Sequence, residues 1–114
     1  SKGGWRMLCR IALRPPEDVP EATLAEAHRI HSVLMECLET FVEKNRDYNN
    51  SWRKSGLLGV LIRLQDKIER AINLSNNGLR ACVKTESLED TLRDAIVYMA
   101  MAVILLEEVG EARK

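Results

Sequence analysis

The feature that most constrains this chain is a run of twelve residues, Ala95 to Leu106, with no charged side chain, directly behind the charged stretch Glu86 to Asp94. The run is rich in Ala, Leu, Ile and Met and free of Gly and Pro, so it reads as a helix. At about 100° per residue Glu86, Asp90 and Asp94 share one stripe, and Val97, Met101 and Ile104 continue it. A helix that is apolar all round is buried all round. Its second half should therefore be covered by the core on one side and by another subunit on the other. The acids then stand at or near the mouth of a helix–helix groove. The run is well short of the ~20 residues that cross a bilayer, so no membrane association is expected.

The rest of the composition agrees with helices. Apolar residues make up 46% of the chain, aromatics only 4%, and there are six glycines and three prolines. The expected fold is all-α: a compact bundle of three main helices over residues 21–114, with an N-terminal arm over 1–20, completed by dimerisation or higher oligomerisation. Lys plus Arg and Asp plus Glu both number 17, for a net charge of zero. That balance carries no strong nucleic-acid or membrane-surface signal and does little to keep copies of the chain apart. The three cysteines, Cys9, Cys37 and Cys82, form no CxxC pair. Reduced thiols in the cytoplasm are expected rather than disulfides or zinc.

In the arm, Trp5, Met7, Leu8, Ile11 and Leu13 are apolar enough to dock, either on their own domain or on a second subunit. Pro15, Pro16 and Pro20 separate it from the first helix. That helix is expected over about Glu21 to Arg46. Leu24, Ala27, His31, Leu34, Leu38 and Phe41 form a seam of alternating three- and four-residue steps, and Glu36, Glu39, Glu43 and Asp47 lie opposite. Asp47 to Ser51 reads as a turn. The second helix is expected over Leu57 to Leu74, with Leu57, Leu61, Leu64, Ile68 and Ile72 buried and Asn76-Asn77-Gly78 closing it. After an irregular 79–85, the third helix is expected over Leu88 to Ala112. Ser87 would cap it, with Asp90 completing a capping box, and Leu88, Leu92, Ala95, Met99, Val103 and Leu106 would form its buried face.

Four groups of residues carry candidate chemistry. Asp90 and Asp94, four apart on one stripe, repel unless a cation lies between them. A hard ion such as Mg²⁺ suits such a pair. The competing reading has Asp90 serving the helix start and Asp94 paired with Arg93 or a cation of the second helix. Glu36 and Glu39 form an ExxE, either half of a metal site or a solvated face. Asp66 and Glu69, beside Arg63, Lys67 and Arg70, are either an exposed ion-pair ladder or a mixed site in which acids hold metal and cations hold phosphate. Finally, Lys44 to Lys54 gathers cations, amides and aromatics. Lys44, Asp47, Tyr48, Trp52 and Arg53 there suit an anionic, aromatic ligand, the cations meeting phosphate and the rings stacking on a base; otherwise Trp52 anchors packing. His31, in the seam, reads as a core histidine. The chain has no P-loop, dinucleotide fingerprint or nucleophile motif.

Several blocks are shared with a known family. Lys44-Asn45-Arg46-Asp47-Tyr48, Ser51-Trp52-Arg53, Gly56-Leu57, Ile62 to Arg70, Glu86 to Asp94 and Tyr98 resemble the nucleotide modification associated domain 1 family, small helical domains common in phages and bacteria. The resemblance covers roughly residues 24–105 and implies a role in nucleotide metabolism or modification. More distantly, Glu36-Cys37-Leu38-Glu39 and Asp94 resemble the ExxE and ExxD of the all-alpha nucleoside triphosphate pyrophosphohydrolases, the MazG-like group. Thr91 stands where that group has Glu, so Asp90 would take its place. This second resemblance implies Mg²⁺-dependent hydrolysis of a nucleotide, with Asp90 and Asp94 as the catalytic acids. The alternative expectation is an oligomeric module that captures a nucleotide without catalysis.

Overall fold

The computed structural model describes residues 17–76 and 82–113, with side chains described for 17–76 and 87–112. Residues 1–16 of the arm expected over 1–20, Cys9 among them, the expected turn at Asn77-Gly78 and the side chains of Cys82 and Glu86 lie outside the described residues. Among the described residues the regular structure is helical, with no strand: α1 spans Glu21–Asn45, a short 3-10 helix Ser51–Ser55, α2 Gly56–Asn76 and α3 Cys82–Arg113. The expected three main helices are all present. The chain divides into two compact units, residues 1–39 and 40–114.

In the first unit α1 begins where the amide of Leu24 donates to the carbonyl of Pro20 at 3.1 Å. Pro20 thus closes the first turn, a position a residue without an N–H tolerates. The seam is half-buried at Leu24, Ala27, His31 and Leu38, but Leu34 faces outward at 47% exposure. Cys37 is buried. The ring Nε2 of His31 is buried with no hydrogen-bond partner among the described residues.

The second unit holds the end of α1, from Thr40, with the 3-10 helix, α2 and α3. Residues 46–50 form the expected turn, with Asn49 and Asn50 both at positive φ (47° and 58°). Asparagine tolerates this left-handed conformation better than most residues. Gly56, at φ 67°, links the 3-10 helix to α2. Arg53 meets Glu108 at one end and Arg70 meets Ser87 at the other, so α2 and α3 run antiparallel. Their core is Trp52, Val60, Met101 and Ala102, with Phe41, Leu57, Val97, Tyr98 and Leu105 packed against it.

Three expectations are corrected. First, α3 starts at Cys82, not at Leu88. Ser87 is inside the helix, where its carbonyl accepts the Thr91 hydroxyl at 2.7 Å and its own Oγ accepts from Arg70 at 2.9 Å. Ser87 therefore caps nothing, and Asp90 completes no capping box. No Gly or Pro between Cys82 and Leu88 forces a break. Second, α2 buries Val60 and Ala71, with Leu57 and Leu64 half-buried, while Leu61 (42%), Ile68 (36%) and Ile72 (53%) face outward. Third, α3 buries Thr91, Ala95, Met101 and Ala102, and leaves Leu92, Met99, Val103 and Leu106 exposed. Both helices carry two apolar stripes, and the packed ones include the smaller side chains Ala71, Ala95 and Ala102. Small residues let two helix axes approach closely, which favours them at the contact.

Candidate functional site

The site lies in the second unit, along the flank of α2 and α3 that meets the end of α1. Three adjoining cavities, of about 250, 450 and 340 Å³, all border Lys44. Together they make one groove.

At its centre is Asp94. Its carboxylate is 3.0 Å from Lys67 Nζ and 3.3 Å from Lys44 Nζ. The α2 lysine thus supplies the partner that a half-buried carboxylate on this stripe requires. Val97 and Met101, the next positions of the same stripe, line the groove beside Thr40, Phe41 and Tyr98. The acid stripe therefore opens on a groove as expected, although Ile104 is exposed beyond it.

One end of the groove is polar, bordered by Lys44, Lys67, Arg70, Ser87, Asp90, Thr91 and Asp94. It sets three cations against two carboxylates. Asp90 is exposed and lies 3.8 Å from Arg93, so part of its charge is already answered. Arg70 is held by Ser87 Oγ. The positive excess at this end suits an anion, and lysine and arginine donors meet phosphate oxygens with charge-assisted hydrogen bonds.

The other end is bordered by Lys44, Asn45, Tyr48, Ser51, Trp52, Arg63, Tyr98 and Met101. Tyr48 is exposed; Trp52 is buried in the core, its Nε1 without a hydrogen-bond partner among the described residues. Arg53 stacks on the Trp52 ring at 4.8 Å and holds Glu108 with both oxygens, at 2.8 and 2.9 Å. Trp52 thus anchors the packing of the turn while also lining the groove. Asn45, which also borders this end, donates to the Phe41 carbonyl at 2.9 Å.

Of the candidate residues, the structure brings together Lys44, Tyr48, Trp52, Arg63, Lys67, Arg70, Asp90 and Asp94. Arg53 pairs with Glu108, and Asp47 is exposed beside Arg46. Asp66 and Glu69 are exposed and border none of the three cavities, and Glu36 and Glu39 lie in the first unit. Among the described residues no three His, Cys, Asp or Glu side chains converge as a metal site. Around Asp94 the near neighbours are ammonium nitrogens, so the donors described do not fit an all-protein Mg²⁺ cage. Residues that sequence reasoning missed as part of the site include Tyr98, Ser87 and Thr91, whereas Asn45 is one of the amides of the Lys44 to Lys54 stretch. Tyr98 stands four residues after Asp94, a helical spacing that could have found it.

No helix among the described residues is long and apolar enough to cross a membrane. The family described as nucleotide modification associated domain 1 matches residues 44–106, a span that begins at Lys44 and takes in every groove residue except Thr40 and Phe41. No curated protein and no solved structure matches the chain.

Proposed function

The chain belongs to the nucleotide modification associated domain 1 family, and from that premise we propose that it binds a nucleotide in the Lys44 groove and releases it intact. The observation that carries this reading is the position of Lys44. It borders a cationic end with Lys67 and Arg70 and also an aromatic end with Tyr48, Trp52 and Tyr98. A nucleotide has the matching polarity, with charged phosphates at one end and an apolar, hydrogen-bonding base at the other. Lys67 and Arg70 would meet the phosphates. Tyr48 and Tyr98 would border the base, whose flat face attracts aromatic rings.

The second reading is hydrolysis to a monophosphate and pyrophosphate, with Mg²⁺ supplied alongside the phosphates. What favours it is that Asp90 and Asp94, four residues apart, border one cavity. It requires Asp94 to exchange its two lysines for a metal, and the distant MazG-like likeness that suggested it rests on the sequence blocks alone. Binding without turnover keeps the Lys44–Asp94–Lys67 arrangement as it stands, and for that reason it is preferred. Either reading fits a bacterial or phage-infected cytoplasm.

The test is a titration of nucleoside triphosphates and cyclic nucleotides, with Mg²⁺ and with a chelator, followed by chromatography of the recovered ligand. Saturable binding with the ligand recovered unchanged is expected, weakened at least about tenfold in Lys67→Ala/Arg70→Ala; losing two charge-assisted contacts justifies that scale. Pyrophosphate release that stops in Asp94→Ala and in chelator would establish the hydrolase instead. No binding of any nucleotide would overturn both readings.

A further inference from the structure

α2 and α3 carry a second, unused face. Leu58, Leu61, Gln65, Ile68 and Ile72 follow one another on α2 in steps of three and four, and Leu92, Ile96, Met99, Val103 and Leu106 do the same on α3. These are not the residues that join the two helices to each other. Leu58 is 71% exposed and Leu106 59%, and Leu61, Ile68, Ile72, Leu92, Met99 and Val103 are exposed as well.

At about 100° per residue, the α2 stripe lies roughly 100° from the packed line Leu57–Val60–Leu64–Ala71. The α3 stripe lies roughly 90° from Thr91–Ala95–Tyr98–Ala102, in the same rotational sense. Because the helices are antiparallel, equal senses bring both stripes to the same side of the pair. Arg63, Lys67 and Arg70 of α2, and Asp90, Asp94 and Val97 of α3, lie in the opposite rotational sense. The groove and the apolar face therefore occupy opposite sides of one helical pair.

We infer that this face is where a second copy of the chain docks, two helical pairs meeting as a four-helix layer. Three observations favour a second copy. The eight exposed large side chains offer on the order of 700 Å², above the largest patch typical of a monomer and close to the ~800 Å² each partner contributes to a stable interface. Steps of three and four are the spacing that two helices bury against one another, and here two parallel stripes on one rigid pair can oppose their own copies across a two-fold axis. The formal net charge is zero, so copies do not repel. In such a dimer both grooves stay open and face outward, and neither copy completes the other's site.

The test is the mass of the full chain in solution, by light scattering and sedimentation across a concentration series. A dimer is expected. Ile72→Glu and Val103→Glu each replace a side chain that is about half exposed in the single chain, so each should halve the mass while leaving the helical circular dichroism unchanged. Both variants should keep their nucleotide titration, which separates this inference from the groove reading. A monomeric wild type would overturn the proposal, as would a dimer that survives both substitutions. A monomer that binds a hydrophobic dye only after removal of residues 1–16 would assign the face to the chain's own arm instead.

Discussion

Asp94→Asn separates capture from catalysis, because the two readings predict opposite signs. In the capture reading Asp94 is a charge that the ligand must tolerate. Its oxygens lie 3.0 and 3.3 Å from Lys67 and Lys44. A phosphate oxygen bound on the far side of either ammonium, at ~2.8 Å, would sit about 6 Å from the carboxylate. Two like charges at that distance repel by about 0.7 kcal/mol in bulk water and about 2.8 kcal/mol at an effective dielectric of 20. Asp94 is 27% exposed, but Lys44 is 62% exposed, so solvent screening favours the lower part of that range. We expect about 1 kcal/mol per phosphate charge, or roughly fivefold tighter binding, from removing the carboxylate while keeping its shape. Calorimetry at low salt should show the gain, and added salt should shrink it. Weaker binding in Asp94→Asn, or a Mg²⁺ requirement that disappears with the carboxylate, would refute the argument and restore Asp94 as a metal ligand.

Two further outcomes test the packing. Val60 is 1% exposed, so Val60→Ala should lower stability by about 2 kcal/mol through lost burial and the cavity left behind. Gln65→Ala, on the outward stripe, should change monomer stability by less than about 0.5 kcal/mol; denaturant titration of a monomeric background compares them. A Cβ on Gly59 would stand 2.5 Å from the Ser55 Cβ. Gly59→Ala should therefore destabilise by roughly 1–3 kcal/mol through overpacking, and Ser55→Gly in the same chain should recover part of the loss, a coupling that a double-mutant cycle reads directly.

The helices themselves were legible in the sequence. Helix formation depends on near neighbours, and the spacing of Leu24 to Phe41, the proline at 20 and the asparagines at 49 and 50 are local signals. The acid stripe was legible too: Asp94, Val97 and Met101 do line a groove, because a periodicity survives whatever packs against it. What only the tertiary structure decided was which face of each helix is core. On α2 the stripes through Val60 and through Ile72 are both apolar, and nothing local ranks them; the small side chains at Ala71, Ala95 and Ala102 matter only once two axes approach. The start of α3 escaped for a related reason, since Ser87 has the chemistry of a cap but is engaged by Arg70 across the helical pair. The identity of the groove belongs to the same class. Lys44, Lys67 and Asp94 are distant in the chain, and only folding turns two isolated cations and a stripe acid into one centre with an excess of positive charge.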